Sequence, residues 1–365
     1  MRVLVVDDTV VFRRAISDAL SGLPGVEVVG TAANGKLALA RMSALRPDLV
    51  TLDIEMPEMN GIEVLEAMGP AGLKAGVIVL SSVTTRGGEM TVRALELGAF
   101  DFITKPDRGT PAENLAYLRE SLQPMIRAFE RQRDIRAMLG RRTVMPPLAD
   151  VPAARPAPIA PVPQIVRRLV WGVPLVLIGV STGGPAALAA VLPVLPADLN
   201  APVLIVQHMP PMFTKPLAAS LDRKTALNVK EAQDGDVAQA NCVYLAPGGS
   251  QMKVVAGTRG EIVLRITDDP PENGCKPAVD YLFRSAALQF PGRSVATILT
   301  GMGNDGTAGL RLLKRGGCRS IAQDEATCVV FGMPKEAIAA GLIDTVAPLD
   351  RIAAAIARSV REGGA

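Results

Sequence analysis

Seven prolines fall within the eighteen residues from Pro146 to Pro163, mixed mainly with alanine. Each proline fixes φ and removes an amide donor, so this stretch can form neither a helix nor an inner strand. It reads as a semi-extended linker. The 365-residue chain is therefore expected to fold as two separate units. With 48% apolar and 21% charged residues, both can bury sizeable cores.

Residues 1 to about 125 alternate strand-like and helix-like patterns. The strand-like runs are 3–6, 26–30, 49–52, 77–80 and 100–103, with helical periodicity between them at 34–44 and 91–97. Five strands with intervening helices predict an α/β unit with a parallel, doubly wound sheet. A charged helical stretch follows, from about Ala112 to Arg142. A second α/β pattern begins near Val170, with short strands and turns between Ala240 and Ile266.

In a parallel sheet, residues just past the strand ends meet in one crevice at the carboxyl edge. In the first unit, Asp7 and Asp8 follow the first strand, Asp53 ends the third, Ser81 and Ser82 end the fourth, and Lys105-Pro106 follows the fifth. An all-oxygen set of three carboxylates suits Mg²⁺. Lys105 can neutralise an incoming anion, and the Ser81 hydroxyl can bond a phosphoryl oxygen. Phosphoryl transfer to a carboxylate is the chemistry suggested. Taken singly, each feature is an ordinary turn; the full set in order is not.

The second unit holds the chain's one histidine, His208, after the apolar run 201–206. Ser181 ends another such run and Asp305 follows a third. A nucleophile, a base and an orienting acid can thus converge at one sheet edge. Gly179, Gly183 and Gly184 suit a tight strand-to-helix turn, and free amides near Thr182 and Met302 are candidates for an oxyanion site. Taken singly, Ser181 is a helix cap, His208 a structural residue and Asp305 a turn residue. A rival reading exists: Gly301-x-Gly303-x-x-Gly306, with Asp324 beyond it, matches a dinucleotide fingerprint. Against it, Asp305 puts a carboxylate where a pyrophosphate would lie.

Composition excludes other classes. Thirty-nine basic and 36 acidic residues leave a net charge of +3, and aromatics are 3%, which argues against nucleic acid. Four cysteines without Cys-x-x-Cys spacing, beside one histidine, argue against a zinc site. The start lacks a signal-peptide core, and the apolar stretch 169–180 is too short to span a bilayer. A reducing cytoplasm is the expected setting.

Residues Asp7-Asp8, Asp53 within 52–61, Ser81 and Lys105-Pro106 resemble the receiver domain of two-component response regulators. The resemblance implies that Asp53 is the phosphoacceptor, that Asp7 and Asp8 hold Mg²⁺ with it, that Ser81 is the switch hydroxyl and that Phe102 stands at the switch-aromatic position. Residues 179–185, Gln207-His208-Met209 and 300–306 resemble the CheB-type chemotaxis receptor methylesterases. That implies a Ser181-His208-Asp305 mechanism without a cofactor, acting on glutamyl methyl esters of methyl-accepting chemotaxis receptors. It also implies deamidation of receptor glutamines and a chemotaxis histidine kinase as phosphodonor. The membrane would be approached only through the receptors. Val180 departs from the family, which more often has a smaller residue there. The expected organisation is a flavodoxin-like receiver (1–125), a helical extension and Pro/Ala-rich linker (126–168), and a Rossmann-like serine hydrolase domain (169–361). The competing readings are a phospho-switched binding module with an unused triad and a nucleotide-binding output domain.

Overall fold

The computed structural model describes residues 1–141 and 175–363. The proline-rich stretch expected as a linker lies outside the described residues. The first unit runs β1 (Arg2–Val6), α1 (Val10–Ser21), β2 (Glu27–Ala32), α2 (Gly35–Leu45), β3 (Leu49–Asp53), α3 (Gly61–Met68), β4 (Gly76–Ser81), α4 (Thr85–Glu96), β5 (Asp101–Thr104) and α5 (Pro111–Arg141). The sheet order is β2-β1-β3-β4-β5, parallel throughout. This is one of the two common doubly wound orders. Strands β1, β3 and β4 are covered on both faces by helices, so their residues are buried in continuous runs instead of alternating. Helix α3 starts sharply because Asn60 and Glu63 form a reciprocal capping box.

The second unit runs β6 (Leu175–Val180), α6 (Gly184–Val191), β7 (Val203–Gln207), α7 (Thr214–Asp222), β8 (Asn228–Glu231), β9 (Cys242–Leu245), β10 (Gln251–Ala256), β11 (Ile262–Thr267), α8 (Val279–Gln289), β12 (Ser294–Ile298), α9 (Thr307–Arg315), β13 (Arg319–Gln323), α10 (Met333–Ala339), β14 (Thr345–Ala347) and α11 (Leu349–Gly363). Its main sheet is parallel, in the order β14-β13-β12-β6-β7-β9-β8. Strand β6 is buried along its whole length near the sheet's centre, flanked by β12 and β7. Those three adjacent strands carry Ser181, His208 and Asp305 just past their carboxyl ends. The section from Ala240 to Ile266 divides: β9 joins the main sheet, whereas β10 and β11 form a separate antiparallel hairpin packed on α8. The edge strand β8 carries no periodic apolar signal, since only Val229 of its four residues is buried.

Helix α4 of the first unit packs against α6 and α7 of the second. A glycine allows the close approach: a Cβ at Gly88 would lie 2.7 Å from the Met212 carbonyl oxygen.

Candidate active site and its cover

At the edge of the first sheet, Lys105 Nζ lies 2.8 Å from Asp7 Oδ2 and 2.7 Å from Asp53 Oδ2. Asp7 Oδ1 accepts from the Thr9 amide and hydroxyl, and Asp53 Oδ1 from the Glu55 amide. Beyond Lys105, no donor among the described residues reaches the two Oδ2 atoms, which are both buried. Burial pushes the Asp53 carboxyl up to about 6, against the pull of Lys105. On Lys105, burial works against the charge, but the two carboxylates outweigh it and hold its pKa above the ordinary value. With the exposed Asp8, three carboxylates offer oxygens within 4.8 Å of one another. Three anions around one ammonium leave net negative charge, and such an oxygen set fits Mg²⁺. The Ser81 hydroxyl is engaged on the α4 side, by Thr91 Oγ1 at 2.6 Å and the Gly87 carbonyl at 3.3 Å.

At the edge of the second sheet, His208 Nε2 lies 2.8 Å from Asp305 Oδ2. The acid is held rigidly. Its Oδ2 also accepts from the Val279 amide, and its Oδ1 from the amides of Asp280 and Gly306. Burial opposes charge on Asp305, but the His208 bond and these amides keep its carboxyl below the ordinary range. Burial likewise opposes charge on His208, but its bonds to Asp305 and Cys275 push its pKa up to about 9. Nδ1 faces Cys275 Sγ at 3.6 Å. Ser181 sits beside this pair. Its amide donates to the Thr300 carbonyl, and the His208 amide donates to the Val180 carbonyl. No hydrogen bond joins Ser181 Oγ to His208 among the described residues. Gly301 packs onto the serine, and a Cβ there would lie 2.7 Å from Ser181 Cβ. The Thr182 and Met302 amides, expected as oxyanion donors, find no acceptor among the described residues.

Four neighbours carried no signal of their own as site residues. Gln207 Nε2 ties the Ser181 and His208 carbonyls together at 2.9 and 3.1 Å. Asn273 Nδ2 bridges Asp280 Oδ2 and Asp305 Oδ1 at 2.9 and 3.2 Å. Asp280, buried at the start of α8, accepts from the Gly309 amide at 2.6 Å, and burial pushes its carboxyl up to about 6. Cys275 reaches the histidine from a loop that precedes α8. Gln207 alone lay within a quoted motif, and there as sequence only.

The Gly301-x-Gly303-x-x-Gly306 turn does lie between β12 and α9. Its Gly306 amide, however, is taken by Asp305. Asp324, the fingerprint's acid, caps its own turn by accepting from the Thr327 amide and hydroxyl. Neither is free for a nucleotide.

The first unit covers this edge. Thr182 Oγ1 donates to Asp101 Oδ2 at 2.6 Å, and Ser220 Oγ donates to Glu96 Oε1 at 2.5 Å. Lys224 Nζ pairs with the same Glu96 oxygen at 2.6 Å. Phe102 stacks at a tilt on Phe213, ring centroids 4.6 Å apart. On the α5 side, Met302, Val329 and Val330 pack onto the first unit's apolar cluster. Burial pushes the Asp101 carboxyl up to about 6, partly offset by the Thr182 bond.

Two family models match the chain: a response regulator receiver domain over residues 3–113 and a CheB methylesterase over residues 176–356. A receiver sheet carried by the same chain as a parallel-sheet esterase fold defines a response regulator with an enzymatic output domain. A protein-glutamate methylesterase/protein-glutamine glutaminase of Desulfotalea psychrophila is 49% identical over 367 residues, covering 99% of either chain. The protein of that name from Bacillus subtilis is 44% identical over 368 residues, again covering 99% of each. The crystal structure of the Thermotoga maritima CheB methylesterase catalytic domain superposes with a TM-score of 0.50 at 42% identity, covering 51% of this chain and 98% of that one. The chain belongs to the protein-glutamate methylesterase/protein-glutamine glutaminase family. No helix among the described residues is long and apolar enough to cross a membrane.

Proposed function

We propose that this chain hydrolyses glutamyl methyl esters on methyl-accepting chemotaxis receptors and deamidates receptor glutamines, under control of phosphorylation at Asp53 by a chemotaxis histidine kinase. Residues 1–125 form the receiver and residues 169–361 the esterase, with 126–168 joining them. The observation that carries this reading is the 2.8 Å pairing of His208 with Asp305 beside Ser181, at the ends of adjacent strands.

Because Asp305 holds Nε2, Nδ1 is the nitrogen that takes the Ser181 proton. Ser181 Oγ attacks the ester or amide carbonyl, and the amides of Thr182 and Met302 receive the oxyanion. His208 returns the proton to leaving methanol or ammonia. Water, deprotonated by the same imidazole, then cleaves the acyl-serine to a glutamate carboxylate. One acyl intermediate serves both substrates. Nδ1 points to Cys275 and no hydrogen bond reaches Ser181 Oγ among the described residues, so the site must relax before Ser181 can be engaged.

In the receiver, Asp7, Asp8 and Asp53 would hold Mg²⁺, which when bound neutralises charge on the incoming phosphoryl group. Phosphorylated Asp53 brings about −2 charge next to Lys105. Ser81 then exchanges Thr91 and Gly87 for a phosphoryl oxygen. That exchange loosens α4 and β5, the elements bearing Glu96, Asp101 and Phe102. Methanol release from methylated receptor tests the chemistry. Ser181→Ala and His208→Ala are expected to abolish it with the fold intact, and near-normal release from Ser181→Ala would show the serine assignment to be wrong.

A further inference from the structure

The two ring nitrogens of His208 have different partners. Nε2 is on Asp305 at 2.8 Å and Nδ1 faces Cys275 Sγ at 3.6 Å. The cysteine lies 67 positions along the chain, so no local spacing could have announced the pair. Zinc binds thiolate sulfur at about 2.3 Å and imidazole nitrogen at about 2.0–2.1 Å, so a tetrahedral angle sets the two ligands about 3.6 Å apart. Cys275 and His208 already have that separation.

The surroundings fit as well. A metal-bound histidine commonly gives its other nitrogen to a carboxylate, which fixes the ring and raises its basicity. Asp305 does this here and is itself anchored by three backbone amides. Ligand atoms of His208, Cys275 and Asp305 all lie within 4.8 Å of one another. The thiol's other polar contact is a long one, 3.7 Å to the Asn273 carbonyl. Cys275 keeps part of its surface open, whereas Cys318 and Cys328 are buried and burial pushes both thiols up, Cys318 to about 12. The chain then sorts cations by softness: the receiver's oxygen-only set suits Mg²⁺, and a sulfur–nitrogen pair suits zinc.

We propose that Cys275 and His208 form a binding site for a soft divalent cation, zinc above all, which inhibits the esterase by occupying the nitrogen that Ser181 needs. Water completes the coordination, and binding releases the thiol proton. The inhibitory effect rests on reading His208 as the base; the metal site does not.

Cobalt(II) is the probe. The full-length protein is titrated with Co²⁺ in excess Mg²⁺, which keeps cobalt out of the receiver's carboxylates. A thiolate-to-cobalt charge-transfer band should saturate at one equivalent, vanish in both Cys275→Ser and Cys275→Ala, and be displaced by Zn²⁺. In parallel, Zn²⁺ should suppress methanol release by the wild type, reversibly on chelation. Cys275→Ser, measured against its own zinc-free rate, should need about tenfold more Zn²⁺ or higher. No band in the wild type, or an equal band in both variants, overturns the site. A Cys275-dependent band without zinc inhibition overturns the inhibitory role. Methanol release that survives Ser181→Ala condemns the serine reading instead and leaves the cobalt result standing.

Discussion

Thr182 and Asp101 are joined by a 2.6 Å hydrogen bond across 81 positions of sequence. Thr182 follows Ser181, and Asp101 opens β5 next to Phe102. One contact therefore links the esterase edge to the receiver strand that carries Phe102. A hydrogen bond to a charged group contributes about 1.5–3 kcal/mol, and 1.4 kcal/mol is about tenfold in an equilibrium. Asp101→Ala is expected to raise the rate of the unphosphorylated protein about tenfold and to shrink its response to phosphodonor. Steady-state methanol release measures both; an unchanged basal rate would remove this contact from the cover.

The same carboxylate gives the cover a pH dependence. Its pKa is raised from 3.8 to about 6 in the covered form by burial. Closure therefore binds a proton. The part of its contribution to closure that comes from binding this proton is full below 3.8 and is lost as pH rises through about 6, leaving the hydrogen bond from Thr182. The rate of the full-length protein divided by that of an esterase fragment cancels the titration of His208. That ratio is expected to climb between about pH 5 and pH 7 and to flatten in Asp101→Asn. A flat ratio in the unsubstituted protein would contradict the sign.

Asp53→Asn is expected to form no acyl phosphate with a kinase or small phosphodonor in Mg²⁺, and its methanol release should ignore the donor. The substitution removes the charge that burial already disfavours, so stability should not fall. Radiolabel persisting at full stoichiometry in Asp53→Asn would place the phosphoryl group elsewhere.

Strand-end residues were legible from sequence because each closes an apolar run: Asp7, Asp53 and Lys105 in one unit, Ser181, His208 and Asp305 in the other. A parallel sheet turns that local pattern into a shared crevice. Asn273, Cys275 and Asp280 were not legible as site residues. Asn273 and Cys275 arrive on a loop without strand periodicity, Asp280 opens α8, and only the packing of that helix brings them to Asp305. Strand β8 was missed because an edge strand with one buried residue has no pattern to read. The cover was invisible too. Glu96 and Asp101 look like an ordinary helix end and strand start, since complementarity between two surfaces is not periodic in either.

Gly301→Ala tests how closely the serine is seated. The added Cβ would lie 2.5 Å from Met333 Sδ and 2.7 Å from Ser181 Cβ. Methionine can yield, but the serine backbone, tied to Thr300, cannot move far. Activity should drop by about 10²-fold, as expected for misplacement on the order of 1 Å, while thermal unfolding shifts only modestly. Wild-type turnover in Gly301→Ala would show that the turn does not position Ser181.

The most direct test of the whole account compares methanol release by the intact chain and by a fragment beginning near Ile165, each with and without phosphodonor. The account predicts that the fragment outpaces the unphosphorylated chain and that phosphodonor accelerates only the intact protein. A fragment no faster than the intact chain, together with an intact chain indifferent to phosphodonor, would contradict it.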